Sequence, residues 1–190
     1  MKNNSLLIGL LIVITFWSCS SDDDNPIQNT EIESNFILDG TNFSIPNGFI
    51  IENFGFNNNQ QTVFLLDGLI INKEYYGVGC DYSTNLTNGI IFNEIVSSTN
   101  GLQSGTYNYH PNQNDFTIED VTVLTNIVVE NNCVVSSESI TSDGQITKAT
   151  LDVEREGNSY ILDFSINTKD FGTINGTYAG NLQLTQDLSE

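Results

Sequence analysis

The sequence predicts an all-β protein with a single domain of short, antiparallel strands. A chain of 190 residues is expected to hold one domain. From residue 35 onward, Val, Ile, Thr, Phe and Tyr recur in short runs, and these residues favour strands. Turn residues, above all Asn and Gly, separate the runs. Several runs alternate polar and apolar residues, as half-buried antiparallel strands do, whereas the crossover helices of a parallel sheet are not predicted.

The first predicted element is a hairpin. Asp39-Gly40 lies between the apolar runs 36–38 and 41–45, and an Asp-Gly pair in this position is a strong hairpin signal. Asp67-Gly68 interrupts a later run and predicts either a tight turn or a bulge. Further strands are predicted at residues 49–56, 62–72, 74–82, 89–96, 105–110, 116–129, 133–139, 146–154, 160–166 and 173–184.

The predicted strands form one antiparallel meander of about 10–12 strands, whose edges must be closed. A closed barrel and a β-sandwich both satisfy this need, and periodicity alone does not separate them. Within residues 146–154, the alternation places Ile146 and Asp152 on one face and Leu151 and Val153 on the other. The first face is therefore expected to meet solvent and the second to meet the core.

A three-residue echo occurs in the second half of the chain, where Gly105-Thr106-Tyr107 is matched by Gly176-Thr177-Tyr178. Such a triplet is a natural strand start after a turn, and two copies do not indicate a repeat protein. We interpret the echo as two similar strands rather than as a duplication.

The first 18 residues have the features of a signal peptide. Lys2 gives the start a positive charge, and residues 5–17 are uncharged and mostly apolar. As a helix, this segment would span about 20 Å, which is too short to cross a bilayer. We therefore predict that residues 1–18 are an export signal that is cleaved before Cys19.

The end of this segment, Phe16-Trp17-Ser18-Cys19, resembles the lipobox of bacterial lipoproteins. Ser18 suits the position before the cysteine, although Phe16 stands where Leu is usual and Trp17 is bulky. The resemblance implies that Cys19 is acylated and that the protein is held to a membrane through this lipid. The alternative is ordinary signal cleavage, in which Cys19 has no special role.

An acidic stretch follows Cys19, with Asp22, Asp23 and Asp24 in succession after two serines. It is similar to the stretch that follows the lipidated cysteine in Bacteroidota lipoproteins, where it marks export to the outer face of the outer membrane. The resemblance implies a protein anchored in the outer membrane and facing the cell exterior. Physically, adjacent like charges repel and stay hydrated, so the stretch is also a solvated linker.

The remaining chain divides into a tether and a domain. Residues 19–34 contain five acids and few apolar residues, and we predict a flexible tether. Residues 35–190 form the predicted all-β domain. Its opening hairpin and its closing pattern resemble those of small Bacteroidota surface lipoproteins of unknown function, some of which have lipocalin-like or calycin-like barrels. The closing pattern lies at residues 142–147, 160–166 and 174–182.

The charge balance excludes some partners. The chain has 24 acidic and 5 basic residues, and its formal net charge is −19. Nucleic-acid binding needs clustered Lys and Arg, so no nucleic-acid partner is expected. Electrostatic docking on an anionic membrane surface is excluded for the same reason, which leaves the lipid as the means of attachment.

Two cysteines, Cys80 and Cys133, remain in the predicted domain. Outside the inner membrane they can form a disulfide, and the alternative is two separate buried thiols. His110 is the only histidine and is expected at the exposed end of a strand. Two Cys and one His are too few for a zinc site at a recognisable spacing.

Other candidate sites rest on weaker patterns. Asp115, Glu119 and Asp120 form a local acidic cluster, but the loop motif of a calcium site is missing. Exposed aromatic side chains are typical of sugar-binding platforms, and the alternative for the tyrosines is core packing. The tyrosines considered for such a platform are Tyr75, Tyr76, Tyr82, Tyr107 and Tyr109.

No catalytic, cofactor-binding or metal-binding residue is assigned from the sequence. We therefore expect a non-enzymatic, lipid-anchored β module that binds a glycan, a small ligand or a protein partner. One alternative is a lipocalin-like carrier of a small apolar molecule inside the barrel. A carboxylate-based hydrolase is the third hypothesis, and only the abundance of acids motivates it.

Overall fold

A computed structural model describes residues 32–52, 59–71, 80–99, 101–110 and 114–185. The predictions for the signal peptide, Cys19, the acidic stretch and nearly all of the tether lie outside these residues, as does most of the strand predicted at 74–82. In the described part of the chain, no helix is long and apolar enough to cross a membrane.

Eleven strands make up the regular structure of the described residues. They are β1 Asn35–Leu38, β2 Thr41–Ser44, β3 Asn47–Glu52, β4 Gln60–Leu66, β5 Gly89–Val96, β6 Gly105–Tyr109, β7 Thr117–Glu130, β8 Cys133–Thr141, β9 Ile146–Glu156, β10 Ser159–Thr168 and β11 Thr173–Thr185.

Eight of these strands close into a barrel in the order β10, β9, β6, β7, β5, β4, β3 and β11, and β11 pairs with β10 to complete the ring. The hairpin of β1 and β2 extends the sheet from β11, and β8 extends it from β7. The prediction of an all-β closed barrel is therefore confirmed, and the β-sandwich alternative does not apply.

The strand order differs from the predicted antiparallel meander, because two pairs are parallel. Strand β3 pairs with β11, the last described strand, and β6 pairs with β7 over only two residue pairs. Consecutive parallel strands normally need a long crossover connection. Strands β3 and β11 are far apart in the chain and meet where the barrel closes, whereas β6 and β7, which seven residues separate, pair only where β6 ends and β7 begins.

The predicted facing of β9 is wrong for its first residue, Ile146. Ile146 is buried, although simple alternation places it on the polar face with Asp152. The register between β9 and β10 shifts between Asn167 and Thr168, so that Thr168 pairs with Ile146 while Asn167 pairs with Lys148. The bulge turns Ile146 to the side of the core, since one extra residue reverses the facing of a strand.

The interior of the barrel is filled by packed side chains. Phe92 and Phe164 meet edge to face with ring centroids 5.5 Å apart, and Tyr107 and Tyr178 are fully buried beside them. Small and large residues alternate on the inner side of β11, where Gly176 lies before Tyr178. A Cβ atom at Gly176 would lie 2.3 Å from Cζ of Phe164, so only glycine leaves room for this ring.

The ring closes where Tyr178 of β11 lies against Gly48 of β3. A Cβ atom at Gly48 would lie 2.5 Å from Cζ of Tyr178, so the missing side chain allows the two strands to approach. The Tyr178 hydroxyl donates a hydrogen bond to the carbonyl oxygen of Asn181 at 2.8 Å. Burial of an aromatic ring with a partnered hydroxyl stabilises this junction without leaving a buried polar group unpaired.

A second apolar cluster lies outside the barrel wall, on the outer face of β3, β4 and β5. Phe49 and Phe64 belong to this face, and both are buried. The chain between β4 and β5 covers them with three further buried side chains, Ile70, Tyr82 and Leu86. These strands are therefore apolar on both faces, and β4 is buried along its whole length.

A disulfide between Cys80 and Cys133 attaches this covering segment to the start of β8, with an S–S distance of 2.04 Å. Of the two alternatives for these cysteines, the structure has the bonded one. The backbone N–H of Tyr82 donates to the carbonyl oxygen of Asn132 at 2.9 Å, beside the disulfide. The covering segment is thus tied to the turn between β7 and β8.

Asp67, at the start of the covering segment, is hydrogen-bonded to the residues at its end. Its Oδ1 accepts the backbone N–H groups of Thr87 and Asn88, and its Oδ2 accepts the Thr87 hydroxyl and the Asn88 side-chain amide. At Asp67-Gly68 the chain bends out of the sheet and β4 ends at Leu66, so neither the tight turn nor the bulge predicted there is formed.

We expect reduction of the disulfide to destabilise the domain. The bond closes a span of 53 residues, and the loss of this constraint on the unfolded chain costs up to about 4 kcal/mol. Urea unfolding with and without reductant measures the difference. A Cys80→Ala, Cys133→Ala double variant is the control and should not respond to reductant. Equal midpoints for the oxidised and reduced protein would contradict the prediction.

Three buried tyrosines make stability sensitive to alkaline pH. Burial raises the pKa of Tyr107, Tyr160 and Tyr178, and hydrogen bonds or a nearby Arg155 only partly oppose this effect. Below about pH 10 these tyrosines are protonated in both states, so they leave the free energy of unfolding unchanged. At higher pH the unfolded chain loses its protons first, which favours unfolding.

We therefore expect the free energy of unfolding to fall above about pH 10. Urea unfolding at a series of pH values measures this decline. Each buried tyrosine adds up to about 1.4 kcal/mol per pH unit, so a Tyr178→Phe variant should show a shallower decline while its lysines are unchanged. An identical slope in the variant and the parent protein would refute the assignment.

Candidate functional site

An open groove crosses the outer face of the barrel wall, over β9, β10, β11 and β1. Its volume is about 430 Å³. The backbone of Phe164 and Gly176, whose inner sides belong to the core, forms part of its floor. Its other lining residues are Asn35, Ile37, Thr150, Asp152, Asp163, Ser165, Asn175 and Thr177.

The strand register arranges these residues in two rows that run across the strands. In the first row, each residue is directly opposite the next on the neighbouring strand, because the pairings join Thr106 to Asp152, Asp152 to Asp163, Asp163 to Thr177 and Thr177 to Asn35. The second row lies two residues further along each strand and contains Asn108, Thr150, Ser165, Asn175 and Ile37.

Two carboxylates, from Asp152 and Asp163, lie side by side at the centre of the first row. Residues directly opposite in an antiparallel pair have Cα atoms roughly 4.5–5.5 Å apart, and like charges in this position are destabilising. Both side chains are exposed, and the groove lining contains no basic residue. Lys148 lies one row beyond the second row, opposite Asn167. The groove is therefore acidic at its centre.

Each carboxylate accepts a hydrogen bond from a threonine on the neighbouring strand that lies away from the other aspartate. Thr106 donates its hydroxyl to Oδ1 of Asp152 at 2.5 Å, and Thr177 donates to Oδ1 of Asp163 at 2.5 Å. The two Oδ2 atoms have no hydrogen-bond partner among the described residues. The threonine donors are used within the row, so the groups left for a ligand in this row are mainly acceptors.

The Gly-Thr-Tyr echo explains this symmetry, because both copies flank the hairpin of β9 and β10. In each copy the threonine holds one aspartate. The tyrosine is buried in the core, with its hydroxyl bonded to a backbone carbonyl of Gln103 or Asn181. In each copy a Cβ atom at the glycine would clash with a phenylalanine ring, Phe116 for Gly105 and Phe164 for Gly176.

The structure does not bring the sequence-predicted metal candidates together. Glu119 and Asp120 are half-buried in β7, while Asp115 precedes the strand and is exposed. Asp120 accepts hydrogen bonds from Asn93 and Ser142. Among the described residues, no group of three or more His, Cys, Asp or Glu is placed to hold a metal ion.

Of the two interpretations of the tyrosines, core packing rather than an exposed aromatic platform applies to those that the structure describes. Tyr82 and Tyr107 are buried, and Tyr109 is partly buried against the core. Tyr75 and Tyr76 lie outside the described residues. His110 is exposed just after β6, as expected.

Sequence reasoning missed the groove residues, although two signals pointed toward them. Alternation placed Asp152 on the outer face of β9, and the echo marked Thr106 and Thr177. Neither signal alone gives the cross-strand register that puts Asp152 beside Asp163. The two-residue turn Gly157-Asn158 sets this register, because Glu156 pairs with Ser159 across it.

The chain matches no protein-family model, no curated protein and no solved structure.

Proposed function

We propose that this protein is a non-enzymatic binding module, anchored by lipid in the outer membrane and facing the cell exterior. The outer groove over β9, β10, β11 and β1 holds its ligand. The observation that carries the binding function is the pair of register-matched polar rows, in which Oδ2 of Asp152 and of Asp163 has no hydrogen-bond partner among the described residues.

The proposed anchor rests on the N-terminal sequence. Cys19 follows a lipobox-like segment and precedes Asp22, Asp23 and Asp24. The acidic body of the protein supports a lipid anchor, because a chain with 24 acids and 5 bases gains nothing from an anionic membrane surface. Stable anchoring needs more than one acyl chain, as the lipoprotein resemblance implies for Cys19.

The chemistry of the groove selects the kind of ligand. Facing carboxylates repel anions, and their unpartnered Oδ2 atoms need donors. A ligand that supplies hydroxyl or amine groups satisfies them, and an anionic ligand does not. Glycans, small amines and donor-bearing surfaces of a protein partner all meet this requirement.

An apolar carrier function has less support. A lipocalin-like carrier needs a cavity within the barrel, whereas Phe92, Tyr107, Phe164 and Tyr178 fill the described interior. The outer groove is polar and open, and it is unsuited to shield an apolar molecule.

A two-carboxylate hydrolase is the second candidate, because Asp152 and Asp163 are directly opposite each other in the β9–β10 pair and such enzymes use two neighbouring carboxyl groups. Such an enzyme needs one carboxyl group as an acid and the other as a base or nucleophile, and different surroundings normally create this difference. Here each carboxylate is exposed and accepts one threonine hydroxyl. This equivalence favours binding over catalysis.

We expect a Cys19→Ala variant to lose its acyl group and its membrane attachment. Expression of the full-length sequence in a host that processes lipoproteins, followed by fatty-acid labelling and membrane fractionation, tests this. An Asp22→Asn, Asp23→Asn, Asp24→Asn variant should retain the label and lose only access to surface proteolysis. Membrane association of the Cys19→Ala variant at the parent level would show that the anchor lies elsewhere.

We expect donor-bearing probes to bind in the groove and anions to be rejected. NMR titration of the protein with spermidine and with citrate should shift amide signals of β9 to β11 for spermidine only. A Ser165→Trp variant fills the groove and should weaken binding at least about tenfold, or about 1.4 kcal/mol. Thr147→Trp, at an exposed position outside the groove lining, is the matched control. Equal binding of citrate would contradict the proposed site.

A further inference from the structure

We propose that the ligand of the groove is a linear, uncharged glycan that lies across the strands, with successive sugar units over successive strands. This inference rests on the proposed binding function and deepens it. It depends on the spacing and order of the two polar rows rather than on the acidic pair alone.

The first step is the match in spacing. The first row extends beyond the groove lining to Thr106 on β6. Neighbouring strands are about 4.7–4.9 Å apart, so the five strands of this row, β6, β9, β10, β11 and β1, present polar groups over roughly 19 Å. In an extended glycan, one pyranose ring advances the chain by nearly one strand spacing. A chain that crosses the strands therefore meets an equivalent polar position at each ring.

The second step is the distance between the rows. The rows are two residues apart along each strand, or roughly 7 Å. A sugar ring placed between them has hydroxyl groups on both edges, one edge toward each row. Asn175 and Thr177 on β11, or Thr150 and Asp152 on β9, then meet the two edges of one ring.

The third step is hydrogen-bond chemistry. Sugar hydroxyls both donate and accept, so they satisfy a row of acceptors and a row of mixed groups at once. Asp152 and Asp163 offer free Oδ2 atoms in the first row. In the second row, Asn175 and Ser165 carry both donors and acceptors. A glycan with carboxylate or sulfate groups would place anions against the two aspartates.

The end of the groove adds an apolar contact. Ile37 on β1 is 50% exposed and belongs to the second row beside Asn175. An aliphatic side chain at this place covers the C–H face of a terminal ring. No aromatic side chain lies among the groove lining except Phe164, which is buried, so binding comes from many weak polar contacts. Affinity must then depend on chain length.

The test is isothermal titration of the purified protein with cello-, xylo- and manno-oligosaccharides of increasing length. For at least one series, we expect the dissociation constant to fall with each added unit and to level off at about five units, one for each strand of the first row. Asp163→Asn and Thr177→Val should each weaken binding about tenfold. Thr147→Val is the matched control and should bind like the parent, with thermal unfolding confirming that all variants are folded.

Other outcomes overturn the inference in distinguishable ways. Affinity that does not depend on length, or that keeps rising well beyond five units, would contradict the placement across the strands. Equal binding of oligogalacturonate would contradict an uncharged ligand, and cleavage of the probes would support the hydrolase instead. If spermidine binds in the groove and no oligosaccharide does, the proposed function stands and the glycan inference fails.

Discussion

The close approach of three strands at Gly176 is the contact on which both faces of this barrel wall depend. A Cβ atom there would lie 2.3 Å from Cζ of Phe164 and 2.5 Å from the carbonyl oxygen of Asn35. Glycine therefore allows Phe164 to fill the core and β1 to pair with β11. Because side chains alternate along a strand, an inward Phe164 requires Asp163 and Ser165 to point outward. Core packing and groove chemistry thus share one register, and a slip of one residue would destroy both.

The two halves of the barrel wall differ in the polarity of their outer faces. Strands β3, β4 and β5 carry apolar residues on both faces, and the outer face needs the cover that Asp67 and the Cys80–Cys133 disulfide hold in place. Strands β9, β10 and β11 carry Asp, Asn, Ser and Thr outside and need no cover. In the described part of the chain, the exposed polar outer face with its groove therefore belongs to the second half.

Local sequence pattern was sufficient for most of the strands and insufficient for their pairing. The Asp39-Gly40 hairpin and the strands of the last third lie close to their predicted positions, because turn residues and alternation act over a few residues. Ile146 was misplaced because a bulge is set by the partner strand. The parallel pairing of β3 with β11 depends on barrel closure, which no local pattern encodes. The meeting of Asp152 with Asp163, in contrast, follows from the two-residue turn Gly157-Asn158 of the β9–β10 hairpin. Only the contact of Asp152 with Thr106 needs the long-range pairing of β6 with β9.

The arrangement of Asp152 and Asp163 is itself an argument for function. Two like charges placed opposite each other oppose folding, and a sequence under selection for stability alone has no reason to keep them. The flanking threonines hold one oxygen of each carboxylate and so restrict the side chains before any ligand arrives. Side chains that are already ordered lose less entropy on binding, which raises affinity without adding contacts. A donor-bearing ligand in the proposed groove would relieve the repulsion and would meet side chains that are already ordered.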